Sequence, residues 1–131
     1  MYLKSSTWSD LFVNVPFPKG TSVEFTANSI NSSGHSNYFN LKEENASTNL
    51  WGGSFRGTGW TVDKPTPSAT GSYTAPVTFK LEILSDGSVK LYVNGTLVNT
   101  KSISTSSNLI FYWGTGTSSY CTIKDFKIKA L

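Results

Sequence analysis

Residues 77–104 read VTFKLEILSDGSVKLYVNGTLVNTKSIS, and this stretch decides the fold class. Val77, Phe79, Leu81 and Ile83 alternate with Thr78, Lys80, Glu82 and Leu84, the period-2 pattern of a strand with one buried face. Asp86-Gly87 closes a first hairpin. Asn94-Gly95, set between Val93 and Thr96, closes a second, because both residues accept the positive φ of a type I′ turn. Three antiparallel strands in succession make a meander, a rigid sheet with one face left for solvent or ligand.

Shorter runs of the same kind flank it. Residues 8–17 (WSDLFVNVPF) predict a strand ended by Pro16 and Pro18 and turned by Lys19-Gly20. Residues 21–28 predict a second, with Val23, Phe25 and Ala27 alternating against Glu24 and Thr26. A polar loop over 29–36 leads to a strand at 37–42, where register decides whether Tyr38 or Phe39 is buried. After a turn at 43–49, Leu50-Trp51 opens a short strand. From 52 to 75 the periodicity dissolves into Gly, Thr, Ser and Pro, with Phe55, Arg56, Trp60 and Val62 embedded. So long a segment either hides short strands or forms a functional loop. Residues 108–113 and 120–131 are two further strands, linked by a hairpin at 114–119. Nowhere do apolar residues recur at helical spacing over three turns. The expectation is one all-β domain spanning 131 residues, a two-sheet antiparallel β-sandwich.

Composition narrows the function. Charged residues make up 15% and aromatics 14%, with a formal charge of +3 and a pI near 9.0. The eleven Lys and Arg are scattered, apart from Lys124, Lys127 and Lys129, so no basic stripe for nucleic acid is present. Alternation puts Lys127 and Lys129 on one outward side of the last strand, where they blunt a sheet edge. Cys121 stands alone, which excludes an internal disulfide, and fits a small buried hydrophobe. A catalytic thiol would need His35, which lies in a Ser/Gly/Asn loop. No apolar run approaches the ~18 residues of a membrane span. Tyr2-Leu3-Lys4-Ser5-Ser6 leads straight toward structure without a leader pattern, and a longer parent protein is expected. Three N-x-S/T sequons begin at Asn31, Asn45 and Asn94, each in an expected loop or turn.

The order of features resembles the concanavalin A-like lectin/glucanase jelly rolls and their laminin-G-like relatives. An early apolar strand with Trp8 precedes GTSVEF at 20–25. The hairpin pair FKLEILSDGSVKLYVNGTLV spans 79–98, and IKDFKIK closes the chain at 123–129. The resemblance implies two curved antiparallel sheets packed face to face, with a concave sheet or its rim loops binding glycans. Glycosidases of that superfamily carry an E-x-D-x-x-E strand, with two carboxyl groups about 5 Å apart for retention. None of the eight acidic residues here forms it, and Glu43-Glu44, being adjacent, point to opposite sides if extended. The His- and Arg-bearing strand of galectins and the metal loop of legume lectins are absent too. A non-enzyme is expected.

Sugars are recognised by aromatic planes against their C–H faces and by planar polar groups that satisfy their hydroxyls. The segment LWGGSFRGTGWTVD at 50–63 holds two Trp, the only Arg and four Gly. Trp51, Arg56, Trp60 and Asp63 are therefore the primary candidate site, against the alternative that both Trp are core plugs. Tyr112, Trp113 and Tyr120 form a second cluster around 114–119. With Leu109, Phe111 and Trp113 inward, Ile110 and Tyr112 point the other way and with Lys80, Glu82, Lys90 and Tyr92 would pave one concave sheet surface, the alternative being an ordinary solvated outer face. Asn37 and Tyr38 beside His35 form a third, weaker set.

The expected function is a non-catalytic carbohydrate-binding or adhesion module, extracellular, on a cell surface or virion. The alternative is a structural or protein-interaction sandwich of phage tail or baseplate type without a sugar site. The expected partner is a polysaccharide or glycan, with no nucleic acid and no membrane insertion; the chain is expected to form a homo-oligomer or sit in a multidomain protein. No cofactor is called for. A structural calcium ion needs only backbone carbonyls and one or two Asp, although no dedicated acidic loop occurs.

Overall fold

The computed structural model describes residues 1–4 and 8–131. Ser5 and Ser6, part of the stretch expected to lead into the first strand, lie outside the described residues. Twelve strands form two six-stranded antiparallel sheets. Sheet I runs, in spatial order, β1 (Tyr2–Lys4), β12 (Tyr120–Ala130), β3 (Thr21–Asn28), β8 (Val77–Ile83), β9 (Ser88–Val93) and β10 (Thr96–Ser102). Sheet II runs β2 (Ser9–Phe17), β11 (Leu109–Thr115), β4 (Asn37–Glu43), β5 (Asn49–Arg56), β6 (Gly59–Lys64) and β7 (Ala69–Ser72).

The meander forms as its alternation demands. Val77, Phe79, Leu81 and Ile83 are buried in the core, and Asn94-Gly95 makes the two-residue turn between Val93 and Thr96 with φ of 50° and 83°. The segment at 52–75 does hide strands: β5, β6 and β7 pair in succession through it. Its glycines disguised them, because Gly contributes no apolar mark to the alternation. β1 is three residues long, too short to carry a pattern of its own. It covers β12 only at Tyr120–Thr122 in register, so the lysine-bearing remainder of β12 keeps an open edge.

Phe25 of sheet I is the hub of the core. Its ring centroid lies 5.4 Å from Phe39, 5.5 Å from Phe79, 6.0 Å from Phe111 and 5.5 Å from Trp113, joining both sheets in edge-on and tilted packing. Trp51 (0% exposed) and Trp60 (5%) belong to this core. A Cβ on Gly53 would stand 2.7 Å from the Trp51 ring, and one on Gly71 would stand 2.5 Å from that of Trp60. These glycines make slots for indoles.

Phe39 touches Phe25, Trp51, Phe55 and Phe79. Phe39→Ala is expected to cost about 3–5 kcal/mol in urea unfolding, whereas Val15→Ala on exposed β2 should stay within about 0.5 kcal/mol. Cys121 is fully buried, and burial raises its thiol from 9.0 to about 12, with the terminal ammonium pulling weakly the other way. The folded chain thus keeps a proton that the unfolded chain releases above about pH 9. This contribution to stability is complete below that point and is lost as pH climbs toward about 12, at up to about 1.4 kcal/mol per pH unit. Urea midpoints across that range should fall less steeply for Cys121→Ala than for the native chain.

Candidate functional site

The pleat that sends Phe39, Leu41, Trp51, Phe55, Phe111 and Trp113 inward sends their neighbours onto the outer face of sheet II. One row across the strands reads Phe12, Tyr112, Asn40, Gly52, Lys64. The next reads Asp10, Gly114, Tyr38, Ser54, Thr61, Thr70. Large side chains stand beside glycines in these rows, and the result is a groove of about 260 Å³. Gly52 and Gly114 form its floor. Trp8, Asp10, Tyr38, Asn40, Asn49, Asp63, Lys64 and Tyr112 rise around them. A Cβ on Gly52 would meet Asp63 Oδ1 at 3.0 Å and Asn40 Oδ1 at 3.2 Å; one on Gly114 would meet Asp10 Oδ1 at 3.1 Å. Any other residue at either position would fill the space these oxygens surround.

The walls are aromatic and braced. Tyr112 stacks on Phe12 with centroids 4.7 Å apart and donates its hydroxyl hydrogen bond to Asn49 Oδ1 at 2.5 Å. Trp8 is 57% exposed, and its ring lies 5.4 Å from both Tyr38 and His35. Buried Asn31 closes the adjoining 29–36 loop: its Nδ2 donates to the Ser33 and His35 carbonyls, and its Oδ1 accepts from Asn37 Nδ2 and the Tyr120 amide. With both ends of its amide engaged and 1% exposure, Asn31 is no sequon acceptor in the folded chain. Asn94 ties its turn to the preceding strand, its Oδ1 accepting from the Thr78 amide and its Nδ2 donating to the Thr74 carbonyl, and Asn45 alone of the three is exposed without such a role.

The polar atoms of the groove are less well provided. Asn40 is only 6% exposed, yet its side chain has no hydrogen-bond partner among the described residues. Neither Asp10 nor Asp63 has a hydrogen bond or ion pair among them; the two salt bridges there join Lys80 to Glu82 and Lys127 to Glu24 on sheet I. The carboxylates are felt by the rings instead. Tyr38 is raised above its ordinary pKa by burial and then by the Asp63 charge, with Arg56 opposing. Tyr112 is raised by burial, with Asp10 adding and the bond to Asn49 opposing. No group of three or more His, Cys, Asp or Glu among the described residues is placed to hold a metal ion.

The sequence candidates are thus partly dispersed. Asp63 and Tyr112 come together in the groove. Trp51 and Trp60 do not: their rings fill the core, and the expectation that they face a ligand is corrected. Arg56 is exposed but donates from Nη1 to the Gly34 carbonyl at 2.5 Å, pinning the 29–36 loop beside a second polar hollow with Ser54, Thr61 and Thr70. Tyr92 lies on the outer face of sheet I, under Lys80 Nζ at 4.5 Å, so it and Tyr112 occupy opposite sides of the sandwich rather than one surface. Trp8, Asp10, Asn40, Asn49 and Lys64 were not anticipated as site residues. The available signal was Asn40, set between inward Phe39 and Leu41 and therefore on the same face as Tyr38.

No family model matches the chain, and no curated protein matches it in sequence. Solved structures do. A sialidase superimposes with a TM-score of 0.80 at 13% identity over 95% of this chain, which spans 14% of that enzyme's length. A toad ovary galectin in complex with thio-digalactose superimposes at 0.65, with 15% identity, 95% of this chain and 100% of the galectin. The carbohydrate-binding module CBM66 from Bacillus subtilis does so at 0.64, with 10% identity, 98% of this chain and 86% of the module. The fold is the concanavalin A-like lectin/glucanase jelly roll. Identities this low speak for the architecture of the jelly roll and leave its ligand to the chemistry of its own groove.

Proposed function

We propose that this jelly roll is a non-catalytic carbohydrate-binding module that attaches an extracellular surface or virion protein to glycans through the groove of sheet II. The observation that carries the reading is Asn40: a planar amide, more than nine-tenths buried, facing the groove without a hydrogen-bond partner among the described residues. Its amide atoms reach the solvent of the groove, and a sugar hydroxyl pair can replace water there with both a donor and an acceptor. Asp10 and Asp63 supply further acceptors for hydroxyl hydrogens. Trp8 and Tyr38 present ring faces for the sugar's C–H surface. The fold's occurrence in a galectin bound to thio-digalactose and in a carbohydrate-binding module supports the same reading. Its occurrence in a sialidase leaves the non-catalytic part to the residues: no acidic strand motif is present, and Asp10 and Asp63 lean over floor glycines that sit on β11 and β5 with β4 between them. Binding at one such groove is weak, and display in several copies would supply avidity.

A second reading, a structural or protein-interaction module, draws on β2. This edge strand leaves Leu11, Phe12 and Val15 at least 40% exposed, an apolar edge suited to another chain.

Titration with a panel of cell-surface and cell-wall oligosaccharides should change the fluorescence of Trp8. Asn40→Ala should weaken the best ligand roughly 5- to 100-fold while leaving the unfolding midpoint close to native. Silence across the panel, together with an obligate oligomer in light scattering, would select the second reading.

A further inference from the structure

The chain carries a formal charge of +3, unevenly placed: on sheet II Lys42 donates to the Ala46 carbonyl and Arg56 to that of Gly34, and neither lines the groove. Lys80, Lys90, Lys124, Lys127 and Lys129 all stand on the outer face of sheet I, where Glu24 and Glu82 pair with two of them. The groove is on the outer face of the other sheet, so these lysines point away from it. Locally it is acidic. Among the described residues Asp10 and Asp63 face its floor without an ion-pair partner, and Lys64 is the one lining cation. The His35 ring lies 5.4 Å from that of Trp8, tilted by 54°, and does not line the groove.

Carboxylates that share a groove lining with Trp8 and Tyr38 make a box suited to a cation, since ring faces and carboxylates both attract positive charge. The Asn40 amide, without a hydrogen-bond partner among the described residues and with its Oδ1 aimed over Gly52 into the same space, adds a second, uncharged polar group to the groove. The floor glycines, on strands two apart, place the two acids at different points along the groove, on the order of 10 Å from each other. A ligand with positive charge at more than one point along its length therefore engages both.

Resting on the carbohydrate-binding reading of this groove, we propose that its ligand is a glycan with free protonated amines, a hexosamine chain lacking N-acetyl groups, whose ammonium groups are held by Asp10 and Asp63 against Trp8 and Tyr38. N-acetylation removes the charge, and a uronate or sialoside brings the wrong sign into a groove with two unpaired carboxylates.

Isothermal titration of the full chain, at about pH 6 where the amines are protonated, would compare length-matched oligomers of glucosamine, N-acetylglucosamine and galacturonate. The glucosamine oligomer should bind roughly tenfold more tightly than its acetylated counterpart, with no detectable galacturonate binding, and the preference should shrink as salt rises. Asp63→Asn and Asp10→Asn should each lower the amine-to-acetyl affinity ratio, and Lys64→Ala should raise it; the opposite signs separate a charge effect from loss of fold, which thermal unfolding of each variant checks directly. Equal or tighter binding of the acetylated or acidic oligomer, or a ratio unmoved by both Asp variants, would overturn the amine preference while leaving the groove a sugar site. Failure of every glycan, charged or neutral, to bind would remove both.

Discussion

Ring packing between the sheets is the constraint on which the rest of this molecule depends. Phe25 meets Phe39, Phe111 and Trp113 across the interface, and each of those contacts fixes which face of a strand turns inward. In a pleated strand that choice is made once for the whole element. A slip of one residue in β4 would bury Tyr38 and Asn40 and expel Phe39 and Leu41, exchanging two fully buried apolar side chains for buried polar groups. The groove is therefore a consequence of the core. Its aromatic wall and its unpartnered amide stand outside because their neighbours are committed inside.

Size alternation then turns an outward face into a site. A sheet surface lined evenly with medium side chains is a nearly flat plane. Here Gly52 and Gly114 lie between Tyr112, Asn40, Tyr38 and Asp10, and the missing side chains leave a hollow with polar oxygens at its edge. The same device works in reverse on the inner side, where Gly53 and Gly71 admit the indoles of Trp51 and Trp60. Two glycines side by side at 52 and 53 thus serve opposite faces of one strand, one opening a groove and the other receiving a core ring.

Much of this was legible in the chain. The strands of the meander, the turn at Asn94-Gly95, the inward set of 77–83 and the buried state of Cys121 all follow from patterns that lie within a few residues of one another. The candidate site was legible only in part. Residue type points to Asp63 and Tyr112, which line the groove, and leaves Trp51 and Trp60 open between ligand and core, because glycines beside a tryptophan look the same whether they make room for a sugar or for the indole itself. Asn40 passed unnoticed since its meaning depends on two strands distant in sequence, β5 and β11, that flank it.

Period-2 alternation and turn chemistry, both local, determined by themselves that this protein is an antiparallel sandwich and which side chains of each strand share a face. Tertiary structure alone decided which strands lie in which sheet, so that Tyr92 and Tyr112, both outward, ended on opposite surfaces, and Trp8, Asn40 and Asp63 came together from three separate segments. The physical reason is that pairing partners are chosen by how well apolar faces fill a common interior, a property of all twelve strands at once and of no single stretch.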